Sequence, residues 1–215
     1  MIAPEDLSEA AKRCGRHFAR YLYAIRFAES KRVLDIACGA GYGAAKLAEA
    51  AAEVVGMDID EDRLQIARDR FSGPNVSFLS HYLHEPLPEG PFELITCFET
   101  LEHVSDPARC ASNLAGGLTS DGLAIISVPN GILEAAKGGK RYHPNQFTDE
   151  SFPALLNAEF EQVELFSQIY QRSLSHYVRK LFGGKHHASN YRFVPGLDVK
   201  AKGWTASCHK PRQRR

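Results

Sequence analysis

Cysteine is scarce in this chain: Cys14, Cys38, Cys97, Cys110 and Cys208 are five in 215 residues, and no two form a C-x-x-C pair. An odd number without that spacing argues against a disulfide framework and against a structural zinc site. Cys38, Cys97 and Cys208 sit in apolar, strand-like runs, where a thiol behaves as a small buried hydrophobe. Excess charge is absent too. Lys and Arg total 26 and Asp and Glu total 26, so no global field draws the chain to nucleic acid or to an anionic membrane. The local exception, Lys210-Pro211-Arg212-Gln213-Arg214-Arg215, reads as a solvated tail. No apolar run approaches the roughly 18 residues needed to span a bilayer, and the first residues do not read as a signal peptide. Repeats and low-complexity tracts are missing. These absences describe a soluble protein of the reducing cytoplasm.

The remaining features describe one α/β domain with a real core, with 44% hydrophobic and 24% charged residues. Phe18, Tyr21, Leu22 and Ile25 recur at i, i+3, i+4 and i+7, which predicts an amphipathic helix over about 8–29. Strands are expected at 33–37, 54–57, 76–79, 92–98, 123–128, 162–166 and 204–208, the last antiparallel. Helices are expected between them, near 61–71, 107–117 and 147–158 among others. Asp60 is placed to cap the 61–71 helix, with Glu61 and Asp62 favouring its dipole. The expected fold is therefore Rossmann-like: a seven-stranded, mostly parallel sheet with helices on both faces. Its expected parts are an N-terminal helical cap (1–30), a cofactor-binding core (31–166), an insert or lid (167–200), a final strand (201–209) and the basic tail (210–215). Within the insert, Leu174, Tyr177, Val178, Leu181 and Phe182 have helical spacing, and Gly183-Gly184 would end that helix.

The strongest chemical signal is Asp35-x-x-x-Gly39-x-Gly41-x-Gly43. Glycines after a strand let backbone pass close under a ligand, and the next helix N-terminus offers free N–H groups. Asp58 follows Gly41 by seventeen residues and closes the second strand, where a carboxylate can accept from both ribose hydroxyls. Gly39-x-Gly41-x-x-Ala44 also satisfies a loose NAD fingerprint. Against NAD, Asp35 puts a negative charge in the first strand, useless to a pyrophosphate but suited to a cationic ligand or to the glycine turn. The late antiparallel strand also departs from the NAD-binding arrangement. S-adenosylmethionine fits both features.

Residues 33–43 (VLDIACGAGYG) resemble the first motif of class I S-adenosylmethionine-dependent methyltransferases, and 54–60 (VVGMDID) the acidic segment after it. Residues 94–104 (LITCFETLEHV) resemble the fourth-strand motif, and 118–130 (LTSDGLAIISVPN) the approach to strand five. The likeness covers about 16–166. It is greatest to bacterial small-molecule and glycan-cluster methyltransferases, then to ubiquinone-biosynthesis O-methyltransferases. The resulting cofactor assignment is Asp35, Ala37, Gly39, Gly41, Asp58, Ile59, Tyr82 and Phe98. One departure stands out. Relatives place an aspartate shortly before a Leu-Pro, facing the adenine amino group. Here Ser80-His81-Tyr82-Leu83-His84 precede Leu87-Pro88, which shifts that role to a backbone carbonyl or to His81.

Glu99-x-x-Glu102-His103 follows the fourth strand, at the carboxyl edge where open α/β sheets bind ligands. One helical turn there would point both carboxylates and the imidazole the same way, and a divalent cation would relieve the repulsion between the carboxylates. His143, from the next loop, is a further candidate ligand, and the set suits magnesium, manganese or zinc. Ubiquinone O-methyltransferases and small-RNA 2′-O-methyltransferases use a similar Glu-x-x-Glu-His arrangement for metal. The alternative has His103 act as a general base without metal, the glutamates bonding loop backbone. The expected acceptor is a hydroxyl of a small molecule or glycan precursor. RNA is the alternative, through a basic aromatic surface formed by Arg172, His176, Arg179, Lys180, Lys185, His186, His187 and Arg192 with Tyr177, Phe182, Tyr191 and Phe193. A dimer arm is another reading of that segment, and a non-catalytic nucleotide-binding protein a minor reading of the whole.

Overall fold

The structure is a computed structural model that describes residues 5–136, 143–171 and 187–212. The chain divides into two compact units, 1–80 with 169–192 and 81–168 with 193–215.

The first unit begins with helices α1 (Leu7–Arg13) and α2 (Gly15–Ala24) and a 3₁₀ turn at Ile25–Phe27. The single helix expected over 8–29 is thus broken at Cys14, next to Gly15. Glycine inside a helix costs about 1 kcal/mol relative to alanine, which makes this the cheapest place to interrupt it. Three parallel strands follow, β1 (Arg32–Ile36), β2 (Glu53–Asp58) and β3 (Val76–Ser80), in the order β3-β2-β1. The runs in β1 and β2 are apolar on both faces: Val33, Leu34, Val54, Val55 and Met57 have no exposed surface. Each such side chain contributes about 1.5–3 kcal/mol of burial. Between strands lie α3 (Tyr42–Leu47) and α4 (Glu61–Phe71). Asp60 caps α4 as expected, its carboxylate accepting from the Arg63 N–H at 3.1 Å. A 3₁₀ turn at Ala188–Asn190 buries Ala188 in the cluster formed by Ala10, Phe18 and Ala19.

The second unit holds β4 (Phe92–Phe98), α5 (Pro107–Gly116), β5 (Leu118–Pro129), α6 (Gly131–Ala136) and α7 (Ser151–Glu159). Most of β6 (Phe160–Tyr170) also belongs to it. A strand missing from the sequence reading, β7 (Tyr191–Pro195), precedes β8 (Gly203–Pro211) and brings the strands among the described residues to eight rather than seven. In this unit β4 and β5 are parallel, and β8 runs antiparallel between β5 and β6, so the expected antiparallel last strand is present. α7 starts at Ser151 rather than 147, because the Thr148 hydroxyl accepts the Ser151 N–H at 3.0 Å and holds a turn there. The helical spacing at 174–182 lies outside the described residues. Among the described residues, no helix is long and apolar enough to cross a membrane.

All five cysteines are free, and Cys38, Cys97, Cys110 and Cys208 are buried. Burial pushes the thiols of Cys38 and Cys208 up strongly, and that of Cys110, with Asp106 nearby, up to about 11. An unfolded cysteine releases its proton near ~8.5. The native thiol of Cys110 therefore contributes stability in full below that pH and loses it as pH rises through about 11. At pH 8 a thiol reagent should label at most Cys14 quickly in the native protein and all five thiols in denaturant. Several fast native thiols would contradict this packing.

Candidate cofactor and acceptor residues

Asp35, Ala37, Gly39, Gly41, Asp58 and Ile59 all lie in the first unit. Asp35, in strand β1, has no exposed surface, and the Tyr21 hydroxyl donates to both of its carboxylate oxygens at 3.3 Å. Burial first, and then the charge of Asp35, push the Tyr21 phenol well above its usual range, so Tyr21 stays a donor. Tyr21 shares the apolar spacing of Phe18, Leu22 and Ile25, yet its hydroxyl meets the buried carboxylate. Ala37, just past β1, takes a left-handed conformation at φ 58°. That conformation costs about 1–2 kcal/mol for a non-glycine residue, and such strain clusters at functional loops.

Gly39 and Gly41 are also left-handed, at φ 55° and 84°. Their environments differ. A Cβ on Gly41 would stand 2.6 Å from the Ala67 Cβ and 2.8 Å from the Phe78 ring, so its glycine serves packing against α4 and β3. On Gly39 the nearest atom would be Arg63 Nη1 at 3.7 Å. A Cβ there would meet that guanidinium only at ordinary contact distance, so packing does not demand glycine at this position as it does at Gly41. Asp58 closes β2 and accepts the Gly39 N–H at 2.7 Å and the Asp60 N–H at 3.0 Å. An ionised carboxylate has about four acceptor positions, so two ribose hydroxyls can still be served. Beside it, Ile59 exposes 65% of its surface, an apolar face of the kind that an adenine ring covers. The residues of this unit fit S-adenosylmethionine.

Tyr82, Phe98, Glu99, Glu102, His103 and His143 lie in the second unit. Phe98 is buried at the end of β4. Tyr82 is half exposed and stacks on His84, with ring centroids 4.5 Å apart. The His81 ring nitrogen Nε2 lies 3.3 Å from the Glu85 carbonyl.

The expected helical turn at 99–103 is not formed. Glu99 is left-handed at φ 52°, and 101–103 form an isolated turn closed by the His103 N–H donating to the Thr100 carbonyl at 2.9 Å. Left-handed backbone cannot continue a right-handed helix, so Glu99 does not share a direction with Glu102 and His103. The cluster that does form is Glu102, His103 and His143, whose ligand atoms all lie within 4.8 Å of one another. Glu102 is 1% exposed, and its Oε1 lies 3.9 Å from His103 Nε2. The His103 and His143 rings meet edge to face at a centroid distance of 4.7 Å. One carboxylate oxygen and two imidazoles suit manganese or zinc better than magnesium, which prefers oxygen ligands.

Residues 34–126 match the family described as methyltransferase domain. A protein of Mycobacterium tuberculosis named as a probable S-adenosylmethionine-dependent methyltransferase is 34% identical over 118 residues, 54% of this chain and 42% of that one. Residues 34–126 carry a methyltransferase domain similar to that of S-adenosylmethionine-dependent methyltransferases. A ubiquinone biosynthesis O-methyltransferase of Hydrogenovibrio crunogenus is 36% identical to the methyltransferase region over 106 residues, 47% of this chain and 44% of that protein. The chain thus spans less than half the length of these curated relatives. The N-methyltransferase NodS of Bradyrhizobium japonicum, solved with S-adenosyl-L-homocysteine, shares the fold of the methyltransferase at a TM-score of 0.63 and 15% identity, covering 92% of this chain and 88% of that one.

Proposed function

We propose that the chain transfers the methyl group of S-adenosylmethionine to a hydroxyl of a small molecule or glycan precursor. The observation that carries this reading is the Glu102–His103–His143 cluster. When bound, S-adenosylmethionine supplies an electrophilic methyl group on a sulfonium, already a good leaving group. What the protein must add is orientation, exclusion of water and removal of the acceptor's proton. His103 is half exposed, so it can meet an acceptor hydroxyl and take its proton. The buried Glu102 carboxylate stands beside it, its Oε1 3.9 Å from His103 Nε2. An alcohol or phenol needs such a base, and the ubiquinone relative, an O-methyltransferase by name, agrees with that chemistry.

A second reading gives the cluster a divalent cation. Glu102, His103 and His143 would hold it, and it would act as a Lewis acid that acidifies the acceptor hydroxyl. One histidine nitrogen cannot serve both readings.

RNA is less well supported. Of the basic aromatic segment only His187, Tyr191, Arg192 and Phe193 belong to the described residues. There, one Arg192 nitrogen donates to the carbonyls of Ser189 and Tyr191, a local use rather than a free cationic surface. The rest of that segment, and with it the dimer-arm reading, lies outside the described residues.

A direct test offers the protein labelled methyl donor with matched panels of hydroxylated small molecules, sugars, amines and short RNAs. Label should enter the hydroxylated compounds. Label confined to amines, or to RNA in a steeply salt-dependent manner, would overturn the acceptor class.

A further inference from the structure

The loop from Leu101 to Asp106 carries Glu102 and His103 yet has little regular structure to hold it. Glu99 enters it left-handed, and inside it only the short turn to His103 is closed by backbone. Its rigidity comes from elsewhere in the second unit. The Asn145 side-chain amide donates to the Leu101 carbonyl at 3.2 Å and to the Val104 carbonyl at 2.6 Å, and the Asn145 N–H donates to the Glu102 carbonyl at 3.2 Å. One residue thus binds three carbonyls of the loop. At the far end His84 Nε2 accepts the Asp106 N–H at 3.2 Å and lies 3.0 Å from the Ser105 hydroxyl. Asn145 also stands two residues after His143. The segment that delivers His143 is therefore the one that grips the backbone of Glu102 and His103.

Resting on the reading of this cluster as the acceptor-side machinery, we propose that Asn145 is its positioning residue. It does not touch the reacting atoms. Its three hydrogen bonds fix the distance between His143 and the Glu102–His103 pair, so the rings meet only while Asn145 is in place. The role needs the amide, because only its nitrogen can donate to two carbonyls at once. Aspartate has nearly the same shape, but it would set a carboxylate oxygen against those carbonyls and push the loop away.

The test compares the full-length wild type with Asn145→Ala and Asn145→Asp. Nuclear magnetic resonance should show a proton–proton contact between the His103 and His143 rings in the wild type and its loss in both variants. Binding of S-adenosylhomocysteine, measured in parallel, should stay unchanged and report that each variant is folded. Titration with Mn²⁺, followed by paramagnetic resonance, should weaken by roughly 10- to 100-fold, the usual effect of removing a group that orients ligands. A merely structural role would lower the melting temperature and leave the ring contact intact. Persistence of the contact in either folded variant overturns the proposal, as does its absence from the wild type. If Asn145→Ala does not fold, the volume-preserving Asn145→Asp decides alone. A wild type that binds no Mn²⁺ removes the metal reading, and the ring contact still decides the role of Asn145.

Discussion

Replacing His103 by alanine is expected to lower turnover by about 10²- to 10⁴-fold, the usual worth of a positioned general base, while leaving S-adenosylhomocysteine affinity unchanged. Gly39 and Asp58, assigned to the donor, belong to the first unit, and His103, assigned to the acceptor, to the second. Glu102→Ala and a chelator then divide the two mechanisms. With His103 as a base, chelator has no effect, and Glu102→Ala is milder than His103→Ala because it removes only the carboxylate beside the imidazole. With a bound cation, chelator abolishes activity, manganese or zinc restores it, and Glu102→Ala and His143→Ala are as damaging as His103→Ala. Glu99→Ala should retain turnover under either mechanism, since the left-handed backbone at φ 52° takes Glu99 away from the cluster. Steady-state rates on a hydroxylated acceptor, with and without chelator, check all four variants. A fully active His103→Ala enzyme would remove both mechanisms.

Replacing Asp58 by alanine should weaken S-adenosylhomocysteine binding by roughly 10- to 150-fold, from loss of charge-assisted hydrogen bonds worth about 1.5–3 kcal/mol. The structure adds a second reason for the loss. Asp58 also accepts the Gly39 N–H at 2.7 Å, so the substitution loosens the glycine loop as well as removing the ribose acceptor. Asp58→Asn should fall between wild type and alanine, because an amide oxygen can still accept from Gly39 but lacks the charge. Calorimetry on the three proteins gives the ranking. Equal affinities would mean that Asp58 faces no ribose.

What could be read in advance follows the range of the interactions. β1 and β2 are short apolar runs buried on both faces, and Asp60 caps the helix that it immediately precedes. Local pattern was enough for those, and the spacing from Gly41 to Asp58 picked out a loop and a carboxylate that the structure joins through the Gly39 N–H. β7 and the ends of β6 were not legible, because Phe160–Tyr170 mixes charged and apolar residues without strict alternation and draws its pairing from β8, some 40 residues later. Glu99 misled for a similar reason. The i, i+3, i+4 spacing with Glu102 and His103 is helical, but one positive φ cancels it and no residue type announces that angle. The Tyr21–Asp35 and Asn145–Leu101 bonds span 14 and 44 residues, and nothing short-range in the chain marks those side chains as partners.

The cofactor assignment underlies every role given above, and one titration reaches it. Wild-type protein should bind S-adenosylhomocysteine in the micromolar range by isothermal calorimetry, with NADH giving no heat under the same conditions. Binding of NADH without binding of S-adenosylhomocysteine would contradict it.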